Sequence, residues 1–138
     1  MSSPAFRAVV LGVLAAQWSA TAVYDKSDYI NIEDLPASGE APVLLVQFLS
    51  ASETLETIGT QGADGWREDG SFYLHLLMPT GEASTRALAL GEQLRGLFRG
   101  QRFGAFVIES IDPFVDVDIL GKWRRWSAPG NYYSIVCA

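Results

Sequence analysis

The stretch from Gly70 to Gly100 constrains the fold more than any other, because it reads as one buried strand followed at once by one helix. Residues 71–78 are nearly continuously apolar and rich in β-forming types, the pattern of a strand covered on both faces. Met78-Pro79-Thr80-Gly81 stops it: Pro79 has no N–H to give a ladder, and Gly81 accepts turn dihedrals. Ser84 or Thr85 can then cap a helix, its hydroxyl accepting from one of the orphan N–H groups of the first turn. Ala87, Leu90, Leu94, Leu97 and Phe98 recur at helical spacing on one face, and Gly100 and Gly104 suit the exit. The spacing predicts a helix over 84–99. This describes a scaffold and names no reaction.

Length and composition narrow the class. A chain of 138 residues is one domain's worth and long enough for a core. With 49% apolar and 19% charged residues it is globular. A net charge of −6 argues against a general nucleic-acid binder, which shows a basic excess. Cys137 is the single cysteine, so neither an intramolecular disulfide nor a thiolate cluster is expected. It reads as a small apolar strand residue. The apolar run 8–16 followed by Ser19-Ala20-Thr21-Ala22 imitates a signal peptide. Phe6, Val9, Val10, Val13, Leu14 and Trp18 instead follow helical spacing and predict an amphipathic helix over 4–18, with Pro4 in its first turn. The run is shorter than the roughly 20 residues a bilayer requires, so no membrane contact is expected.

The remaining periodicity is strand-like. Residues 19–28 read as a turn. Strands are expected at 29–33, 43–49, 54–60, 71–78, 105–119 and 132–137, with loops at 34–42 and turns at 61–65, 68–70 and 127–131. Val115, Val117 and Ile119 alternate with Asp116 and Asp118, which predicts one buried and one wet face. The fold class is α/β (α+β). It is a single domain with two main helices packed on a mixed, mostly antiparallel sheet of about five to six strands.

Candidate chemistry is sparse. His75, the one histidine, lies inside an apolar strand and reads as a strand residue with a local hydrogen bond. No G-x-S-x-G elbow accompanies it. Asp112, Asp116 and Asp118 are the densest acidic group; the last two are expected on one side of a strand, where they could chelate a hard cation, or simply face water. Gly59, Gly62 and Gly65 lack the strand–turn–helix setting of a phosphate loop. Arg95, Arg99 and Arg102 gather at a helix end, where positive charge complements the dipole, and Arg124-Arg125 sit between Trp123 and Trp126. Basic residues among aromatics suit either nucleic acid or a protein interface, and the acidic balance favours the interface. The expected contact set is Arg95, Arg99, Asp112, Asp116, Asp118, Trp123, Arg124, Arg125 and Trp126. Its acids and bases would meet between neighbouring copies, a head-to-tail contact that closes as a ring. A competing reading places a small ligand or peptide in a cleft of Trp66, Trp123, Trp126, Tyr132 and Tyr133.

The order of these parts resembles the small tail-terminator proteins of long-tailed phages and related gene transfer particles. The residues carrying the likeness are 14–18, 42–48, 72–78 with 85–98, and 114–126. The resemblance implies a virion protein assembled in the host cytoplasm, without enzymatic activity, metal or cofactor. It implies a homo-oligomeric ring, commonly a hexamer. Such a ring caps the tail tube, stops its polymerisation and meets the head–tail connector or stopper, while DNA passes transiently through. The alternative within that class is a head–tail stopper or another minor tail protein. The glycine-containing segment 54–67 would suit a loop that orders on docking.

Overall fold

Each helix is fixed by one apolar stripe. A computed structural model describes residues 4–28, 41–57, 65–81 and 84–137. Helix α1 (Pro4–Gln17) buries Phe6, Val10 and Leu14. Helix α2 (Ser84–Phe98) buries Ala87, Leu90, Gly91, Leu94 and Phe98. Just past α2, Gly100 takes φ +70°, the left-handed conformation that suits glycine at a helix exit.

The strands are β1 (Ala22–Asp25), β2 (Val43–Thr57), β3 (Gly65–Pro79), β4 (Arg102–Phe103), β5 (Phe106–Ile111), β6 (Val115–Leu120) and β7 (Trp123–Cys137). They form one curled sheet in the order β1-β2-β3-β7-β5-β4, with β6 also paired to β7. Only β1–β2 is parallel among these pairings. The fold is therefore α+β with a mixed, mostly antiparallel sheet. Its spine is a ribbon of three antiparallel strands, β2, β3 and β7, each 15 residues long.

The face under the helices holds the main core. Leu44 and Val46 of β2, Phe72, Leu74, Leu76 and Met78 of β3, and Trp126, Ala128 and Tyr132 of β7 pack there against both helices. The opposite face carries a smaller apolar group, Val43, Leu45, Leu77 and Trp123, with Tyr24 beside it. An ion pair between Arg7 and the buried Asp25 ties α1 to the end of β1. Asp25 also accepts from the backbone N–H and the hydroxyl of Ser27, both at 2.9 Å.

The ribbon overturns several sequence expectations. The predicted strand at 54–60 is the continuation of β2, carried past a bulge between Phe48 and Ala51; residues 58–60 lie outside the described residues. The turns expected at 68–70 and 127–131 are straight-through strand. Gly70 stands opposite Tyr132, and Gly130 opposite Phe72. A Cβ on Gly70 would come within 2.5 Å of the Tyr132 ring, and one on Gly130 within 2.7 Å of Phe72. Each glycine is thus the space an aromatic ring from the neighbouring strand fills, as happens when rings cover strand glycines. Phe6 of α1 stacks on Tyr132 with centroids 3.5 Å apart and lies 5.5 Å from Phe72 and Phe106. The same residues that signal a turn by composition here allow the helix–sheet contact.

Other bounds shift less. The strand region expected at 105–119, interrupted at Asp112-Pro113, forms β5 and β6 on either side of Asp112-Pro113-Phe114, and the last strand begins at Trp123 instead of Tyr132. Strand β1 falls where a turn was expected. The strand expected at 29–33 lies outside the described residues.

Candidate interaction surface

Strand β7 organises both candidate regions. On one edge it pairs with β3. On the other it holds β6 along its first half and β5 along its second. Cross-strand partners share a face of the sheet. Asp116 stands opposite Trp126, and Asp118 opposite Arg125, so Val117 is an extra residue and the strand bulges there. Trp126 and Arg125 point to opposite faces. The bulge therefore sends Asp116 to the helix side and Asp118 to the other, and the expectation that both project together is corrected. Among the described residues no cluster of three or more histidine, cysteine or acidic side chains is placed to hold a metal ion.

Each acid finds a base within its own chain. Asp118 receives a two-pronged contact from Arg125, Nε to Oδ1 at 3.0 Å and Nη2 to Oδ2 at 2.9 Å. Asp116 lies 3.7 Å from Arg124. Of the charges expected to meet between copies, Asp116, Asp118, Arg124 and Arg125 are thus already paired across the β6–β7 hairpin. Arg95 is similarly engaged, with Glu92 at 2.6 Å and the Ile111 carbonyl at 3.1 Å. Arg99 and Asp112 are exposed at the α2 end of the molecule and on the β5–β6 connection.

The two tryptophans of the expected contact set are interior. Trp126 packs in the helix-side core and Trp123, 1% exposed, in the group on the opposite face. They cannot line one cleft. Tyr132 is also buried, and the Arg67 guanidinium covers the Tyr133 ring at 4.2 Å. The side-chain setting of Trp66 lies outside the described residues. The aromatic cleft is therefore not assembled.

His75 links all three strands of the ribbon. Its Nε2–H donates to Gln47 Oε1 of β2 at 2.8 Å, and its Nδ1 accepts from the Ser127 hydroxyl of β7 at 2.6 Å. The Tyr73 ring stacks beside it, centroids 5.4 Å apart. Burial lowers its pKa to about 4; Arg125 and Lys26 push the same way, and Asp118 opposes them. The imidazole is held neutral with both nitrogens satisfied. Among the described residues no carboxylate is hydrogen-bonded to it, and Ser127 is buried with it. Serine beside histidine alone does not make an activated nucleophile that a substrate can reach. This is a structural polar contact. Neither Gln47 nor Ser127 stood out in the sequence, because Ser127 read as part of a turn.

What sequence reasoning missed is an exposure. Val115, Val117 and Ile119, predicted to form a buried face, are 57%, 48% and 58% exposed. With Leu88 of α2 they are the large apolar residues left open among the described residues. Strand β6 pairs with β7 alone, so its outer edge is a free sheet edge among the described residues. No signal in the sequence separates this strand from a covered one. No helix among the described residues is long and apolar enough to cross a membrane. No protein-family model matches the chain, and no curated protein matches it.

Proposed function

We propose that this chain is a structural virion protein of the tail-terminator kind. In that reading, copies of it form a ring on the end of a tail tube, stop the tube's growth and present a surface to the head connector. The observation that carries the reading is the uncovered apolar edge at β6. A row of exposed valine and isoleucine on an open strand edge is a surface suited to protein partners. The interior position of His75 supports the same reading, because its hydrogen bonds are spent holding strands together. The contact itself differs from the one the charges suggested: it is apolar, since the acids of β6 are neutralised by Arg124 and Arg125.

The test is to mix the purified chain with a purified tail-tube protein of a long-tailed phage and image the product by negative-stain electron microscopy. The expected result is tubes of arrested length, each closed at one end by a ring of this protein. Tubes that grow unchanged while the chain stays free in solution would overturn the proposal.

A further inference from the structure

We infer that a polar hollow on the ribbon face turned away from the helices binds a neutral, hydroxyl-rich ligand, a short carbohydrate chain. This goes beyond the proposed function and does not rest on it.

The hollow lies where β2 bulges between Phe48 and Ala51, a kind of irregularity common beside functional sites because it re-aims the chain. Its volume is about 410 Å³, within the usual size of small-molecule sites. Three strands supply its walls. Ser52 of β2 stands opposite Asp69 of β3, and Ser71 of β3 opposite Asn131 of β7. Residues two apart on a strand share a face, and the next residue takes the other. Tyr132 is in the helix-side core, so Asn131 and with it the other three side chains project to the far side.

The groups on the wall are positioned before a ligand arrives. Arg67 Nε donates to both oxygens of Asp69 at 3.0 Å. That guanidinium lies 4.2 Å over the Tyr133 ring, and its Nη2 is 3.4 Å from Glu109. Asn131 is held more loosely, its Nδ2 3.4 Å from Ser110 Oγ. A side chain already fixed loses little freedom on binding. Neither contact exhausts its group. A carboxylate offers about four acceptor sites, and Asn131 keeps its carboxamide oxygen and a second N–H.

The lining selects the ligand class. Ala51 is its only apolar side chain among the described residues, so an apolar molecule finds nothing to cover it. Arg67 is shared by Asp69 and Glu109, so an anion meets a net negative rim. Asp69 already has its cation, so a second one gains little. What matches is a ligand whose groups both donate and accept. Sugar hydroxyls donate to Asp69 and to the Asn131 carboxamide oxygen, and accept from the Ser52 hydroxyl and Asn131 Nδ2.

Two-dimensional NMR of the isotope-labelled full chain, titrated with maltotriose, cellotriose and chitotriose, tests the site. At least one of the three should shift the amides of Ser52, Asp69, Gly70, Ser71 and Asn131 saturably. Asn131→Ala should weaken that affinity about tenfold, as removing a neutral hydrogen-bonding group does, with unchanged far-UV circular dichroism. Ser52→Ala, at an exposed position on another strand, should weaken it by a smaller factor in the same direction. No saturable shift with any of the sugars overturns the inference. So does an affinity that ignores both substitutions, or an equal response to glycerol, sodium phosphate or calcium chloride.

Discussion

Strands β5 and β6 share a parent, since both pair antiparallel with the same edge of β7. Both are six residues long and rich in β-branched or aromatic apolar residues. Their fates differ. Phe106, Ile108 and Ile111 of β5 are buried in the helix-side core, and β4 lies on its outer edge. Val115, Val117 and Ile119 of β6 stand in solvent. The two regions teach that apolar composition shows which residues favour cover, without saying whether the same chain provides it. The bulge at Val117 sharpens the difference by splitting the apolar side chains of β6 between two faces.

Substitution can break that comparison directly. Ile108→Ala should cost about 2–5 kcal/mol of folding stability, the range for truncating a fully buried aliphatic residue. Ile119→Ala should change the monomer's stability by no more than about 0.5 kcal/mol, as expected for an exposed site away from special features. Urea denaturation at a concentration that keeps the chain monomeric measures both. Equal losses at the two positions would show that β6 is covered after all.

A smaller effect belongs to the face that β6 borders. His75 has a folded pKa of about 4, below its ordinary value of 6.5. Between those values the unfolded chain binds a proton that the folded chain refuses, so stability rises with pH across the window and is lost as pH falls through it. The full shift corresponds to about 3 kcal/mol. Denaturation midpoints for wild type and His75→Gln, compared from pH 7 to pH 4, should converge toward acid. Parallel curves would contradict the neutral, buried assignment.

The smallest expected effect concerns the strap that holds β6 to β7. Arg125→Ala should cost about 1 kcal/mol, because the pair with Asp118 is half-exposed. The same change should raise the pKa of His75, since it removes a cation and leaves a carboxylate. Titration followed by NMR on the single histidine reads this directly. A pKa that does not move would separate the strap from the histidine.

Much of this architecture was legible in the sequence, for identifiable reasons. Helical spacing located α1 and α2 almost to the residue, because each buries one stripe against one sheet face. The apolar runs at 43–49 and 71–78 marked central strands because both their faces are covered. Gly70 and Gly130 misled because composition reports that a residue lacks a side chain, but not that Tyr132 and Phe72 occupy the space. The interior tryptophans and paired charges of the candidate contact set escaped notice for a related reason. Nothing local distinguishes Trp123 and Trp126 as interior, or pairs Asp116 and Asp118 with arginines of the next strand, because register is a property of two strands. The functional proposal was drawn from a resemblance in organisation, and its physical support, the open β6 edge, could not be seen until burial was known.

The length of the three-stranded ribbon has a mechanical consequence. Strands of 15 residues reach about 50 Å, whereas helices of 14 and 15 residues reach about 21–23 Å. Each helix therefore spans less than half the length of a ribbon strand. The hydrogen-bonded ladders of β2, β3 and β7 run the whole length of the ribbon. A load applied along the ribbon is therefore carried by those ladders and not by either helix alone.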